Sequence, residues 1–519
     1  MESLTETPWD VIISGTGLTQ SLLALALSRS DKKVLHVDKN SYYGGPEAAF
    51  SLQEAQDWAA KVSEDPEQGP FEDASVYSPE QFEGDVKLSS PRAYTLSLSP
   101  HLMYSRSSLL PTLISSKVYR QLEFQAVGSW WIQKQSTGAD TGDQTDGASF
   151  PLYRVPGTRE DVFADDLITV KSKRTLMRFL RHISKDQQGG QEPSEQEDLS
   201  MSLSSYLLSK FQVPDELHSP LQSLSLSQKS PKQTPADYAV PRIKRHLASI
   251  GVLGPGFGSL LAKWGGGSEI AQVGCRALAV GGGTYVLGAG VRSITDSPDP
   301  EDGRTRVQLS NGETVRTKFV VGSHWDLPAQ TEERQLPCDK VARSISVVSS
   351  SLENLFAVTA EGAPIPAGAV VVFPGNLLGE GDDSPPVYLQ AHSSDTGEVP
   401  TGQSVIYGSV SVPGPQGQSL LESAVNRLLQ SMDDPTAKVL WSLRYTQLGR
   451  YNAGVGVAQD IESDYPKNII CLPPPSLDLA FDDTMIGVVK AAWKVVMEGN
   501  VAGEEFMKFE DRERAYDEE

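Results

Sequence analysis

The stretch Asp10-Val-Ile-Ile-Ser-Gly-Thr-Gly-Leu-Thr-Gln20, followed by Val34-Leu-His-Val-Asp38, decides the fold. Three apolar residues after Asp10 read as a short buried strand. Gly15 and Gly17 read as a tight turn, residues 18–28 as a helix with apolar residues at helical spacing, and residues 34–37 as a second strand ending on an acid. This is the β-turn-α-β opening of a dinucleotide-binding fold. In it the first glycine permits the turn, the second lets backbone approach a pyrophosphate, and the terminal acid, Asp38, can hold a ribose hydroxyl. At the third glycine position stands Gln20. A glycine there lets the helix pack close to the strand and leaves room for phosphates at the helix N-terminus, room that a glutamine side chain crowds. The expectation is the fold without its cofactor: a vestigial turn at Gly15, Gly17, Gln20 and Asp38, and no tightly bound FAD or NAD.

A chain of 519 residues can bury a large core and is expected to form more than one domain. Its net charge of −22 argues against a nucleic-acid partner. Cys275, Cys338 and Cys471 are too widely separated for a metal or redox motif, so a reduced, intracellular chain is expected, with each cysteine a small core residue. The seven histidines, His36 among them, form no catalytic constellation. No apolar run reaches transmembrane length, no leader precedes the first strand and no prenylation box closes the C-terminus, so any membrane contact is expected to be transient.

Taken in order, the chain shows paired glycines after two tyrosines at 42–45, a helix over 50–62 and a Pro- and acid-rich loop over 63–83. Strand patterns at 96–98 and 121–127 flank a helix at 109–114. Residues 136–149 read as a disordered hairpin tip, 150–156 as extended and 157–163 as a helix start. From 171 to about 246 the periodicity turns helical. Leu176, Phe179, Leu180 and Ile183 form one apolar stripe beside Lys173, Arg174, Arg178 and Arg181, and an acidic linker at 189–200 is followed by helices at 203–211, 216–226 and 243–253. Glycine triplets at 265–267 and 281–283 flank a short helix, and a strand begins at Thr284. A hairpin turns at Asn311-Gly312 between 307–309 and 314–321. Strands follow at 345–348, 369–373, 387–389, 405–411, 439–445 and 468–472, with surface loops at 375–384 and 414–417. Helices occupy 420–431 and 483–498, the second capped by Asp482 or Asp483 and stopped by Gly499. The fold class expected is α/β: a Rossmann-type, multi-sheet domain formed by 1–165 and 255–505, an all-α insertion at 166–254, and a charged tail at 506–519.

The opening, together with Asn40-Ser-Tyr-Tyr-Gly-Gly45, closely resembles the family of Rab escort proteins and Rab GDP-dissociation inhibitors. Gly267-Ser-Glu-Ile-Ala-Gln-Val-Gly-Cys-Arg276 with Gly282-Gly-Thr-Tyr-Val-Leu287 is similar to that family's second signature. The residues Leu102-Met-Tyr-Ser-Arg-Ser-Ser-Leu-Leu110, Val155-Pro-Gly-Thr-Arg-Glu-Asp-Val-Phe163 and Lys173-Arg-Thr-Leu-Met-Arg-Phe-Leu180 look like the escort branch. The resemblance implies a flavoprotein-like fold that binds Rab GTPases in place of flavin chemistry. It places the Rab-binding platform on Tyr43, Glu269, Arg276, Thr284 and Val286, Val286 standing where the inhibitors carry methionine. It implies no catalytic residues, no cofactor and no metal.

The function implied is that of an escort protein. It takes newly made, GDP-bound Rab, presents it to Rab geranylgeranyltransferase as a non-catalytic accessory subunit, and carries the prenylated product from cytoplasm to membrane. The geranylgeranyl chain is expected against the helical insertion, since burying it is worth about 0.8 kcal/mol per methylene. Two alternatives remain: an inhibitor that recycles prenylated Rabs, and a flavin-dependent oxidoreductase.

Overall fold

The computed structural model describes all residues except 1–3, 66–68, 80–86, 135–150, 185–197, 296–298, 300–301, 329–337, 380, 382, 452–464, 500–504 and 511–519. Its first strand, Pro8–Ser14, lies between Val34–Asp38 and Thr314–Ser323, parallel to both. Strand Thr284–Leu287 closes one edge of this sheet by pairing with Val34–Asp38, Thr284 opposite Leu35 and Val286 opposite Val37. The far edge of Thr314–Ser323 is shared: residues 314–317 pair with Thr305–Leu309 across the turn at Gly312, and residues 320–323 pair with Ile469–Leu472. Alternate residues point to opposite faces. Val11, Ile13, Val34 and Val321 meet the helices Leu18–Leu27, Gly267–Val280 and Thr484–Val496 on one face, while Ile12, Leu35, Val37 and Val320 form a second apolar cluster on the other.

A ten-stranded mixed sheet makes the second layer. From one edge it runs Phe71–Tyr77, Val439–Gly449, Asp339–Val348, Ser404–Val410, Val387–His392, Gly368–Phe373, Phe124–Gln133, Ser259–Ala262 and Met103–Tyr104, with Leu152–Arg154 beside Phe124–Gln133. The helices Val170–Ser184, Leu203–Tyr206, His218–Ser225 and Ala236–Ser249 pack on this sheet, sharing one apolar cluster in which Leu176, Phe179 and Ile243 join Tyr104, Val127 and Trp130.

Four local readings are corrected. The loop over 63–83 contains the edge strand Phe71–Tyr77, whose buried Phe71 and Ala74 stand three apart with half-buried Glu72 and exposed Asp73 between them, which breaks the two-residue alternation of a strand. The loop at 414–417 begins the helix Gly414–Gln430. Gly417 is there for packing, because a Cβ on it would lie 1.7 Å from the Val412 carbonyl oxygen. The loop at 375–384 holds the one-turn helix Gly375–Leu378. The helix read at 243–253 is Ala236–Ser249, with Pro241 inside it. The buried stripe of Ala239, Ile243 and His246 carries it through the lost hydrogen bond. The tip read at 136–149, most of the linker read at 189–200 and most of the charged tail read at 506–519 lie outside the described residues, but the start of that tail packs on the core through buried Met507 with Phe506 and Phe509.

Glycine also sets a close helix crossing. A Cβ on Gly274 would lie 2.6 Å from the Ser21 carbonyl oxygen, so the helices Leu18–Leu27 and Gly267–Val280 touch through backbone. Gly274→Ala is expected to lower stability by about 1–3 kcal/mol through forced separation of the pair, read as a drop in urea midpoint at unchanged m-value. An unchanged midpoint would show that the crossing is loose.

Candidate functional site

At the glycine turn, Gly15 takes φ +89°, and a Cβ on it would fall 2.5 Å from an Asp326 carboxylate oxygen. Gln20 donates its Nε2 to Asp326 at 3.0 Å, and its Oε1 lies 2.8 Å from where a Gly17 Cβ would stand, so the glutamine covers the turn. The N–H of Leu18, the first free donor of the helix, is taken by the carboxylate of Glu47 at 3.0 Å. Asp38 accepts from Thr16 Oγ1 and from the Asn40 N–H, both at 2.7 Å. Each group that would recognise a dinucleotide is thus engaged by the chain itself. Two carboxylates, Glu47 and Asp326, stand where a pyrophosphate would bring its charge, and these residues do not fit that cofactor. A narrow cleft of about 120 Å³ runs beside the turn between Trp58, Trp325 and Met485.

The electrostatics follow from burial. Glu47, shut in behind the turn, has its carboxyl pushed up to about 7, the Leu18 N–H offsetting only part of the desolvation. Asp38 is pushed up to about 6, by burial first and then by the nearby Asp326 charge. His36 donates its Nε2–H to the Gly15 carbonyl oxygen, 2.7 Å away, and burial draws it down to about 4, which makes it a neutral core residue.

The platform residues gather around the sheet edge. Tyr43 stacks on Tyr285, ring centroids 5.3 Å apart and nearly parallel, and Tyr285 meets His36 edge-on at 5.0 Å. Glu269 sits half-buried in the first turn of Gly267–Val280, and Arg276 is exposed two turns later on the same face. Burial raises the Glu269 carboxyl and the Arg276 charge pulls it back, so the two feel each other without forming a direct ion pair. Arg276 reaches Gln121 Oε1 at 3.4 Å. Thr284 and Val286 are half-buried on the edge strand, but strand alternation turns them away from Tyr43: Val286 packs with Leu35 and Val37, on the face opposite Tyr285. The five residues thus occupy two faces of one edge rather than one surface.

Sequence reasoning missed Glu47, Asp326 and Tyr285. Tyr285 lay inside a quoted block, whereas Asp326 meets Gln20 across 306 residues and left no local pattern. Among the described residues no group of His, Cys, Asp or Glu is placed to hold a metal ion, and no helix is long and apolar enough to cross a membrane.

The buried carboxylate gives a pH test. Folded Glu47 keeps its proton to about pH 7, against an ordinary 4.5 in the unfolded chain. The stabilisation from this group is therefore complete below pH 4.5 and lost as pH rises toward 7. Glu47→Gln stays neutral and can still accept the Leu18 N–H. Its stability relative to the parent should climb by about 3 kcal/mol across that window, as measured by urea unfolding at a series of pH values. A difference that stays flat with pH would place Glu47 in water.

The family described as GDP dissociation inhibitor matches residues 5–371. A Candida albicans protein named Rab proteins geranylgeranyltransferase component A is 28% identical over 407 residues, covering 77% of this chain and 59% of the relative, so the chain spans about three fifths of that relative's length. Among solved structures, the Rab GDI of Plasmodium falciparum superposes with a TM-score of 0.64 at 18% identity, covering 94% of this chain and 98% of the other. An oxidoreductase from Methanosarcina mazei superposes at 0.57 and 13% identity, covering 93% and 99%. These likenesses establish the flavoprotein-like α/β fold.

Proposed function

We infer that the chain, which belongs to the GDP dissociation inhibitor family, is a Rab escort protein. It binds newly made GDP-bound Rab, presents it to Rab geranylgeranyltransferase without catalysing the transfer, and takes the prenylated Rab to membrane. The observation that carries this reading is the dinucleotide turn closed by Glu47, Gln20 and Asp326, beside an edge on which Tyr43, Glu269 and Arg276 remain available. The fold is that of a flavoprotein, but its recognition groups face a macromolecule. A rigid stacked tyrosine and two charges are the kind of groups that anchor a protein interface. Thr284 and Val286 extend the platform around the edge.

For the lipid, a cavity of about 440 Å³ lies where the helical segment 166–254 meets the sheet, lined by Val155, Val162, Ile168, Leu176, Leu217 and Leu221. Its apolar wall suits a prenyl chain. The escort role is favoured over the recycling role by the Candida albicans relative, which carries the name of a transferase component. The flavin-enzyme reading is disfavoured by the engaged turn.

The test is a reconstituted prenylation assay, Rab plus transferase with and without this protein, alongside Rab titration on variants. Arg276→Ala and Glu269→Ala should each weaken Rab binding by on the order of 2 kcal/mol if their contacts are desolvated, with little change in melting temperature. Tyr43→Ala should lose affinity similarly and also lose about 1 kcal/mol of stability, because its stack on Tyr285 goes with it. A sharp fall in melting temperature for Arg276→Ala with Rab affinity untouched would make that residue structural and remove it from the platform.

A further inference from the structure

Among the chain's eight tryptophans only Trp264 is exposed, at 42%. Its backbone is left-handed, φ +57°, a conformation that bulky residues avoid. The other apolar residues held in that region, Leu226, Leu352 and Met507, are buried, so core packing offsets the cost of their conformation. Trp264 is held there with much of its ring facing outward. Strain of this kind persists only where the surroundings impose it.

The surroundings here do impose it. The Trp264 N–H donates to the Thr396 carbonyl at 3.0 Å, and the ring lies against Gly397, where a Cβ would fall 2.5 Å from Trp264 Cδ1. That loop is pinned from inside. Glu398 accepts from His392 Nδ1 at 2.6 Å and from the Tyr407 hydroxyl at 2.8 Å, all three residues being buried, and its carbonyl takes the Thr95 N–H at 3.0 Å. Lys263 Nζ stands 4.6 Å from the ring centroid and pairs with Glu123 at 3.3 Å. Arg276 reaches Gln121, so exposed Gln121 and Glu123 link Arg276 to Lys263 and Trp264 along one surface. On its other side Trp264 leads through Gly265 and Gly266, φ +113° and +63°, into the helix that carries Glu269. Trp264 lies at the Phe124 end of the strand Phe124–Gln133, because Ala262 pairs with Phe124, whereas Gln133 at the other end lines the 440 Å³ cavity. The strand between them spans about 30 Å.

We propose that Trp264 is an anchor for the folded body of the bound small GTPase, as distinct from the segment that bears its lipid. The proposal deepens the carrier reading, on which it rests for the identity of the partner, by extending the platform past Glu269 to an aromatic anchor. A ring already fixed by its cradle loses little freedom when a partner covers it, and for that reason a tryptophan can dominate a protein interface. Its uncovered surface is apolar, so the group it meets on the GTPase is an apolar side chain. A fixed ring gains most from an equally fixed surface, which a folded domain supplies and a flexible segment does not. The lipid-bearing segment must also lead toward the cavity, at the opposite end of the strand.

The test is titration of GDP-bound Rab, full length and truncated before its lipid-bearing C-terminal segment, on the parent and on Trp264→Gly, Trp264→Phe and Arg276→Ala. Melting temperatures are measured in parallel. Glycine suits the left-handed backbone while removing the ring, so Trp264→Gly should melt within a few degrees of the parent. It should bind both forms of Rab about tenfold or more weakly. Trp264→Phe keeps an aromatic group and should hold affinity within about threefold of the parent. If Trp264→Gly binds truncated Rab as the parent does, or melts far below it, the proposal falls. A loss confined to full-length Rab would set the ring against the lipid-bearing segment and overturn the proposal equally. Arg276→Ala separates this from failure of the carrier reading. Weakened binding by Arg276→Ala with Trp264→Gly unaffected removes the anchor and leaves that reading, whereas a parent that binds no GDP-bound Rab removes both.

Discussion

The carboxylate of Glu47, buried against the Leu18 N–H, closes the positive end of the first helix from within the chain. Three elements depend on where it sits. The turn at 15–17 is clipped to the loop 44–48 by the Gly44 N–H on Thr16 Oγ1, and Thr16 in turn reaches Asp38. The helix Gly267–Val280 starts against the same side chain, since a Cβ on Gly267 would lie 3.1 Å from Glu47 Cβ and Cγ. Tyr43, just before the clipped loop, is thereby held over Tyr285. An anion-binding site has become an internal fastener, and the same fastening holds the candidate platform in place. Burial of the acid is costly, which is why its carboxyl is held near neutrality instead of fully ionised.

What the sequence made legible is what local periodicity records. The opening strand, turn, helix and strand, the hairpin at Asn311-Gly312 and the last helix fall close to where apolar spacing and caps place them. Gln20 stands as an intruder at the turn, but the carboxylate it donates to was invisible, because Asp326 follows the neighbouring strand Thr314–Ser323 and lies 306 residues away in sequence. One glycine misled. Gly417, read within a surface loop, is instead a place where backbone touches backbone, as Gly274 is within its helix, a property of the neighbour and not of the glycine's own segment. The platform residues were legible only through resemblance. Spacing alone would not have separated Glu269 and Arg276 from any other charges on an exposed helix face, and it gave no sign that Thr284 and Val286 turn away from Tyr43.

The helical segment is fixed to the connection 477–483, between the strand Ile469–Leu472 and the helix Thr484–Val496, by a polar seam as well as by apolar contact. Tyr238 and Arg242 share the buried carboxylate of Asp478 at 2.8 and 2.9 Å, and Arg245 meets Asp483 at 3.0 Å. Asp483 also receives Ser107 Oγ and the Ser108 N–H. Gln228 donates to the Leu477 carbonyl at 2.8 Å, and Arg343, enclosed by the sheet, donates to the same oxygen at 3.0 Å. Buried pairs of this kind contribute little net stability, because desolvation cancels much of the attraction. Their value is directional. Apolar packing alone would let short helices slide on the sheet, whereas an arginine and a tyrosine sharing one carboxylate permit a single register.

That register matters because the cavity is built at the boundary and not inside a closed bundle. One wall is strand, with Gln133, Tyr153 and Val155; the other is helix, with Leu176, Leu180, Leu217 and Leu221. The strand wall is continuous with a ten-stranded sheet and is stiff. The helical segment that supplies the other wall is interrupted near it: a π-turn at Leu207–Phe211 ends on left-handed Gln212, and His218–Ser225 ends on left-handed Leu226. Breaks of this sort lower the cost of local opening. The seam anchors the helix Ala236–Ser249 away from those breaks, so opening can be confined to the helices that face the cavity while the attachment to the sheet holds. On the carrier reading proposed above, that division would let the wall yield to a guest chain without loosening the sheet and its platform edge.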